Sequence, residues 1–324
     1  MSAKVSVIIP IYKAEEYIGQ CAKSLFEQTL QDMEFIFVDD CSPDNCEQIL
    51  AEILAQYPSR KHQVHYLKHK CNLGSGASRN TGLSFATGEF IGYCDSDDWC
   101  HPEMYQIMYN RAKKECADIV FCDFNFAYAK GLIIYRTPSL SIDKTEFLRG
   151  YIKNTWTVLW NTIASRKLYE QFSIRFPDDI SYCEDFHVTT RLFYYAVKIA
   201  KVERPLYYYN QQNSTSIVHN MNRKAELDEQ RTYLEIIAFF KEQGVLDLYH
   251  QEMCWRVLKS TQDVAVCYDR YKDFVSLYPP SHKYIWNCPY GLNLKSRIIM
   301  TLLAIAPLRW LGISLVFIRH ILKR

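Results

Sequence analysis

Short apolar runs alternate with amphipathic segments through the first third of the chain, and this rhythm limits the folds open to it. Residues 5–9 and 34–38 are mostly apolar and typical of buried strands, and residues 14–28 between them carry apolar side chains at helical spacing. A strand, a helix and a strand in this order predict a parallel pair joined by a helical crossover. The alternation continues to Cys122, so the sequence predicts an α/β fold with an open, doubly wound, mostly parallel sheet.

Polar segments follow four of the predicted strands. In sheets of this kind, ligands bind beyond the carboxyl ends of the strands. We therefore expect a binding site where these segments meet on one edge of the sheet. They are Pro10-Ile11-Tyr12, residues 39–44, residues 72–76 and the acidic cluster Asp95-Ser96-Asp97-Asp98.

The acidic cluster places three carboxylates directly after the apolar run 90–94. Alternate residues of an extended chain point to the same side, so Asp95 and Asp97 can face one cation while Asp98 turns away. One or two carboxylates together with substrate phosphates usually hold Mg²⁺, and Mn²⁺ accepts similar ligands. Alone, the cluster would equally suit a solvated turn. Its place on the shared edge favours a site for a metal and a phosphorylated substrate.

The charge of the chain is unevenly distributed. The net charge is only +2, yet seven basic residues and no acidic residue follow Asp273. Within this part, residues 298–318 are mostly apolar, but Pro307 and Gly312 interrupt them and argue against a membrane span. We expect a basic amphipathic tail over 289–324 that attaches peripherally to the cytoplasmic face of an anionic inner membrane. A helix packed on the domain or on a partner would show the same apolar stripe.

The cysteines and the N-terminus indicate the compartment. Twelve cysteines are scattered without a Cys-x-x-Cys pair or a zinc-type spacing, and the first residues lead into a strand without a secretory signal. We therefore expect a cytoplasmic protein with reduced thiols and neither disulfides nor zinc.

Taken together and in order, the edge segments resemble the catalytic domain of glycosyltransferase family 2, which has the GT-A fold. The resemblance covers roughly residues 4–215. The matching pieces are residues 5–12 with Tyr17-Ile18, residues 37–42, Asn72-Leu73-Gly74 with Arg79-Asn80-x-Gly82, residues 88–91 leading into Asp95-Ser96-Asp97-Asp98, and Glu184-Asp185.

On the donor side, the resemblance implies a role for each residue of the edge. Pro10 and Tyr12 would contact the nucleotide base, and Asp40 would accept a hydrogen bond from the uracil N–H, with Asp39 beside it. Arg79 would lie near the diphosphate, a task that suits a planar group that stays charged.

The acidic cluster would hold a metal ion in this family. Asp97 would bind Mn²⁺ or Mg²⁺ directly, Asp95 would face the ribose or support the metal, and Ser96 would lie among the substrate-binding residues. Asp98 would support the cluster. The ion would neutralise the charge that develops on the departing nucleoside diphosphate.

The catalytic base is expected further along the chain. An attacking hydroxyl must lose a proton to a carboxylate within reach, and Asp185 resembles the base of the family, with Glu184 as its orienting neighbour. A helix N-terminus rich in acids would look the same.

The acceptor side matches the family less closely. Trp156 and Trp160 lie where relatives present acceptor-side residues. Thr162, however, stands where many relatives carry a Lys, and the segment 207–214, which resembles a closing segment over the diphosphate, lacks the usual basic residue.

The resemblance also implies an organisation of the chain. We expect a GT-A catalytic domain over 1–215, made of a nucleotide-sugar half (1–100) and an acceptor half (101–215). A helical region over 216–288 and the tail over 289–324 follow as a C-terminal helical extension.

The expected activity is inverting, metal-dependent transfer of one sugar from a nucleotide-diphospho-sugar, a UDP-sugar, to a glycan or lipid-linked acceptor in cell-surface polysaccharide synthesis. No nucleic acid partner is expected. The alternatives are a catalytically inactive GT-A-like binding or scaffold protein and a dinucleotide-dependent oxidoreductase. Gly74-x-Gly76 would begin the fingerprint of the latter, but Arg79 replaces its third glycine.

Overall fold

The computed structural model describes residues 3–139, 141, 143–154, 157–213 and 221–322. The chain divides into two compact units. The first consists of Met1–Leu148 and Trp156–Met221, and the second of Arg149–Thr155 and Asn222–Arg324. The first unit contains the sheet, whereas the second is helical. By this division, the tail expected over 289–324 belongs to the same unit as the helices before it.

Strands and helices alternate in the first unit as the sequence pattern predicts. The strands are β1 (Val5–Ile11), β2 (Met33–Asp39), β3 (Val64–Lys68), β4 (Phe90–Tyr93), β5 (Trp99–Cys100), β6 (Ile119–Tyr128), β7 (Gly131–Tyr135), β8 (Thr162–Ser165) and β9 (Ile199–Asn210). The helices are α1 (Ile18–Phe26), α2 (Cys46–Ala55), α3 (Ser75–Phe85), α4 (Met104–Glu115), α5 (Lys144–Lys153), α6 (Arg166–Gln171) and α7 (Glu184–Tyr195), of which α5 ends in the second unit.

The nine strands found among the described residues form one sheet in the order β3-β2-β1-β4-β8-β6-β9-β5, with β7 paired to β6 outside this path. The first four strands of this order are parallel, β8 runs antiparallel between β4 and β6, and β6 and β9 are parallel. The mostly parallel α/β sheet predicted from the sequence is confirmed. Antiparallel β8 lies where the strand and helix alternation of the sequence has lapsed.

β1 and β2 form the centre of the parallel half. Every residue of β2 is buried, and all but Pro10 are buried in β1. Continuous burial of this kind fits strands that are covered on both faces. Because Ile11 pairs with Asp39, the two strands end side by side, and the residues that follow them share one edge of the sheet.

A glycine lets α3 lie very close to β1. A Cβ built at Gly82 would lie 2.4 Å from Cγ2 of Ile8, closer than any real Cβ contact. α3 also carries Ser75 and Arg79. Its close packing on β1 therefore fixes the backbone positions of these two residues.

The second unit is built from α8 (Arg223–Glu242), α9 (Leu246–Ala265), α10 (Tyr271–Leu277), α11 (Leu294–Ala304) and α12 (Arg309–Leu322). The side chain of Asn222 accepts a hydrogen bond from the Ala225 N–H at 2.9 Å and caps α8. Gly244, with φ +69°, follows the end of this helix. Within the described ranges, no single helix is long and apolar enough to cross a membrane. α11 and Ala306–Leu322 pass such a test only as a pair, bent by 112°.

Replacing Gly82 by alanine is expected to lower the free energy of unfolding by about 1–3 kcal/mol, the usual cost of overpacking a core. Urea unfolding followed by circular dichroism measures this change. Gly150→Ala in α5 is the matched control, because no atom lies within 4 Å of a Cβ built there. Helix propensity alone favours alanine at such a position by about 1 kcal/mol. A Gly82→Ala variant as stable as the control would contradict the close contact between α3 and β1.

Candidate active site

The edge predicted from the sequence exists as a row of strand ends. Ile11 of β1 pairs with Asp39 of β2, which pairs with Lys68 of β3, and Ile8 pairs with Tyr93 at the end of β4. Pro10, Tyr12, Asp39, Asp40 and Asp95 therefore all lie at or just beyond the carboxyl ends of neighbouring parallel strands. Tyr12 is 44% exposed, so its ring is free to stack on a flat ligand.

Asp40 is buried and holds the loop that leads into α3. Its Oδ1 accepts the Leu73 N–H at 2.8 Å and lies 2.7 Å from Nδ1 of His69, and its Oδ2 accepts the Gly74 N–H at 2.7 Å. Nε2 of the same imidazole lies 2.9 Å from the Thr81 hydroxyl. If that hydroxyl donates to Nε2, then Nδ1 carries the proton and donates it to Asp40. Asp40 thus fixes the start of the helix that carries Arg79.

The Asp39 carboxylate shapes the turn after β2. Its Oδ1 accepts the Ser42 N–H at 2.7 Å, and its Oδ2 accepts the Tyr66 hydroxyl at 2.8 Å. The ammonium of Lys68 lies 3.3 Å from the same Oδ2. Asp39 therefore both forms the turn after β2 and lies at the binding edge of the sheet.

Arg79 joins two acidic segments that are far apart in the sequence. Its Nη2 donates to Oδ1 of Asp95 at 2.9 Å, and its Nη1 donates to Oε1 of Glu184 at 2.6 Å and lies 3.5 Å from Oδ1 of Asp185. Its guanidinium lies 5.6 Å from the centre of the Phe176 ring. Burial by itself would lower the pKa of Arg79, but the three carboxylates raise it well above the ordinary value.

Glu184 and Asp185 form the first turn of α7. Glu184 is held in place, since its Oε1 also accepts the Ser75 hydroxyl at 2.7 Å. Asp185 is less engaged, because its Oδ1 is buried and finds no hydrogen-bond partner among the described residues. Burial raises the pKa of Asp185 to about 7; Arg79 opposes this increase, while Glu184 and Asp95 add to it. A carboxylate poised near neutrality suits a general base.

The remaining acids of the cluster differ in their partners. Asp98 is buried and accepts the Tyr207 hydroxyl and the Asn210 N–H, each at 2.8 Å, so it ties β9 to the cluster. Asp97 accepts only the Asn213 side-chain amide, at 2.8 Å, among the contacts resolved for it. Burial, followed by the neighbouring charge of Asp95, raises the pKa of Asp97 to about 6.

The model of glycosyl transferase family 2 matches residues 6–182, more than half of the chain. The chain belongs to glycosyl transferase family 2. It is therefore a glycosyltransferase, and the family expected from the sequence is confirmed.

Similar proteins agree with this assignment. EpsJ of Bacillus subtilis, an uncharacterized glycosyltransferase, is 31% identical over 252 residues, which cover 74% of this chain and 71% of EpsJ. The poly(ribitol-phosphate) beta-glucosyltransferase of Bacillus spizizenii is 30% identical over 211 residues, which cover 64% of this chain but only 32% of that enzyme.

A solved structure gives the fold independently. TarS 1–349 of S. aureus in complex with UDP-GlcNAc aligns with 99% of this chain and 92% of its own, with a TM-score of 0.69 and 19% identity. The chain spans 54% of a longer TarS chain. The GT-A fold expected from the sequence is confirmed.

The acids of this glycosyltransferase fit a divalent metal held partly by a substrate. Burial and the neighbouring charge of Asp95 raise the pKa of Asp97, and a cation beside Asp95 and Asp97 would stabilise the charged form of both. Within the part of the chain that the structure describes, no three His, Cys, Asp or Glu side chains converge as a preformed metal site. Two carboxylates completed by phosphate oxygens are the arrangement usual for Mg²⁺.

Trp160 lies below the acids rather than beside them. It is buried, with 3% of its surface exposed, and stacks on Tyr207 at a ring distance of 4.2 Å. The Tyr207 hydroxyl in turn contacts Asp98 and accepts the Asp95 N–H at 3.1 Å. This position supports the acidic cluster through Tyr207, and it offers an acceptor little surface. Ser96 is also largely buried, and Trp156 lies outside the described residues.

Sequence reasoning missed the contacts of three side chains that hold the site together. His69 was not named, and Tyr207 and Asn213 were named only as part of the segment 207–214 expected over the diphosphate. His69 directly follows β3, so a comparison of all strand ends would have found it. Tyr207 and Asn213 contact acids more than 100 residues earlier in the chain. No local sequence pattern predicts such long-range pairs.

Asp185→Asn is expected to stabilise the ligand-free protein at high pH and to have little effect near pH 4. The pKa of Asp185 in the folded chain is about 7, above its ordinary value of 3.8. The folded state therefore holds a proton that the unfolded state releases, and this contribution is lost as the pH rises through about 7. At about pH 8 the asparagine should raise the free energy of unfolding by on the order of 3 kcal/mol.

Urea unfolding at a series of pH values measures this difference. Asp32→Asn is a control of opposite sign, because a hydrogen bond from Lys4 lowers the pKa of Asp32. This control should lose stability slightly at high pH. The assigned environment of Asp185 would be wrong if Asp185→Asn destabilised the protein at about pH 8.

Proposed function

We propose that this enzyme is an inverting, metal-dependent glycosyltransferase that moves one sugar per cycle from a UDP-sugar to a glycan or lipid-linked acceptor. The observation that carries the proposal is the bridge made by Arg79. It brings Asp95, which follows a strand of the nucleotide edge, within reach of the same guanidinium as Asp185. A donor-side acid and a candidate base thus share one buried cation.

The donor proposal rests on the groups at the strand ends. The exposed ring of Tyr12, with Pro10 beside it, can hold a flat base. A carboxylate can accept about four hydrogen bonds. Two groups contact Oδ1 of Asp40 and one contacts Oδ2, so Oδ2 keeps the capacity to accept one more donor, such as a uracil N–H. TarS, which was solved with UDP-GlcNAc, supports the choice of a UDP-sugar.

Arg79, Asp95 and Asp97 would hold the diphosphate end of the donor. Asp97 and Asp95 are the residues that would bind Mn²⁺ or Mg²⁺, and Ser96 and Asp95 would face the ribose. When bound, the metal supplies neutralisation of the charge that develops on the leaving nucleoside diphosphate. The three neighbouring carboxylates keep the guanidinium of Arg79 charged. The guanidinium can bind phosphate oxygens as well.

Asp185 would take the proton of the attacking acceptor hydroxyl. Its Oδ1 has no hydrogen-bond partner among the described residues, so an acceptor hydroxyl can donate to it. Glu184 is fixed by Ser75 and Arg79, and it would position Asp185 rather than react. Attack from the side opposite the leaving group would invert the anomeric centre.

The relatives support a class of acceptor. The Bacillus spizizenii relative is by name an enzyme that glucosylates poly(ribitol-phosphate). We therefore propose an acceptor that belongs to a cell-surface polysaccharide or to its lipid-linked precursor. Work at the cytoplasmic face of the inner membrane, through the basic tail, would bring the enzyme to such an acceptor.

Two substitutions should separate donor binding from chemistry. Asp97→Asn is expected to abolish the rise in melting temperature that UDP gives in the presence of Mn²⁺, because ligand binding stabilises the native state. Asp185→Asn is expected to keep this rise and to lower the transfer rate by about 10²–10⁴-fold. Glu103→Gln, which removes only an exposed ion pair with Arg204, is the control. If both site variants turned over UDP-sugars like the control, the proposed mechanism would be wrong. If the unmodified protein itself turned over no UDP-sugar, the chain would be a binding or scaffold protein instead.

The transfer rate should depend on pH through Asp185. A general base acts in its deprotonated form, so kcat/KM is expected to rise with pH and to level off above about 7, where the pKa of Asp185 lies. Initial rates with a UDP-sugar and a synthetic acceptor at fixed ionic strength provide the profile. A rate that stays constant from about pH 5.5 to 8.5 would remove Asp185 from the role of base.

A further inference from the structure

The last helix of the chain, α12, packs on one side only. Gly312 and Val316 are its buried residues, and a Cβ built at Gly312 would lie 2.9 Å from the side chain of Leu303 in α11. Residues four apart share one face of a helix. Gly312 and Val316 therefore mark the inner side of α12. Its other side is largely exposed, although the ring of Phe317 lies 5.2 Å from the ring of Tyr268.

Large apolar side chains form the outer face of α12. Each of them is between 40% and 80% exposed. Soluble proteins rarely leave so many neighbouring apolar side chains in water unless the surface binds something. The apolar residues of the outer face are Trp310, Leu315, Phe317, Ile318, Ile321 and Leu322, and Ser314 lies among them with its hydroxyl donating to the Trp310 carbonyl at 2.9 Å.

The charged residues of α12 lie next to its inner side, one on each flank, with the outer face beyond them. At about 100° per residue, Arg309 falls beside Val316, and Arg319 falls between Gly312 and Leu315. Both are partly buried, and the outer face itself carries no charge. No acidic residue follows Asp273 in the sequence, so the only charges that α12 itself contributes are these two arginines. An apolar face with basic borders is complementary to the interface of an anionic bilayer.

The dimensions of α12 fit a helix that lies in the interface. Its 14 residues extend over about 21 Å, less than the roughly 30 Å of a hydrocarbon core. The bend of 112° before it also prevents α11 from extending it into a straight span. A helix parallel to the membrane surface needs neither the length nor the straightness of a span.

We propose that the outer face of α12 docks in the plane of an anionic bilayer. The apolar side chains enter the boundary between headgroups and acyl chains, Trp310 lies at headgroup level, and Arg309 and Arg319 contact lipid phosphates. This inference rests on the membrane attachment proposed above and assigns it to one helix face.

Vesicle sedimentation with the full-length protein tests the assignment. The protein should bind vesicles that contain phosphatidylglycerol, bind pure phosphatidylcholine far less, and dissociate as salt is raised. A Phe317→Glu/Ile318→Glu variant should bind the anionic vesicles at least about tenfold more weakly. Arg319→Gln should weaken binding several-fold and reduce the dependence on salt.

The matched control removes similar apolar surface elsewhere. Ile133→Glu/Ile134→Glu changes two side chains of β7 that are as exposed as Phe317 and Ile318. It adds the same charge and should bind vesicles like the unmodified protein. Equal binding of the two double variants would overturn the proposal, as would the absence of vesicle binding by the unmodified protein.

Light scattering tests whether a second copy of the chain, instead of a bilayer, covers the outer face of α12. A dimer that Phe317→Glu/Ile318→Glu converts to a monomer would assign the face to self-association and overturn lipid docking. The thermal shift with UDP and Mn²⁺ is measured on the same samples. Loss of vesicle binding with an unchanged shift shows that the donor site is intact, so failure of the docking face and failure of the proposed activity can be distinguished.

Discussion

The candidate active site depends on the burial of one guanidinium. Taking a charged side chain out of water costs several kcal/mol, and this cost is offset only when the charge is paired with good geometry. Arg79 meets that condition with Asp95, Glu184 and Asp185. Because these acids come from two distant segments, neither segment can shift without leaving the guanidinium partly unpaired. Asp95 and the first turn of α7 are therefore positioned by the same interaction.

The cluster around this guanidinium holds more negative than positive charge. Asp95, Asp97, Glu184 and Asp185 outnumber the one cation among them. Burial first, and then the charge of neighbouring acids, raises the pKa of Asp97 to about 6 and that of Asp185 to about 7. The ligand-free protein thus relieves repulsion by taking up protons. A site with excess negative charge is stabilised more by a bound cation than a neutral site would be. This stabilisation is greatest at the acids that have the fewest partners, Asp97 and Asp185.

The sequence predicted the parallel half of the fold well because burial there leaves a local signal. Runs such as those of β1 and β2 are buried throughout, and their ends bring the polar segments to one edge. The antiparallel β8 leaves no such signal, since it is short and pairs with strands far away in the chain. The positions of Trp160 and Tyr207 were hidden for the same reason. An aromatic side chain beneath a site and one beside it look alike in a sequence.

At Asp40 and in α12, too, the sequence pattern allowed two interpretations. Asp40 opens a turn, as aspartates often do, but its carboxylate also anchors Gly74 and so the start of α3. Its predicted contact with the base is one of several tasks that the side chain can perform together. In α12, an apolar pattern on most sides does not distinguish core from surface. The small size of Gly312 decides, because only the side that carries it can approach Leu303 closely. One glycine thus separates the inner side of the helix from the outer.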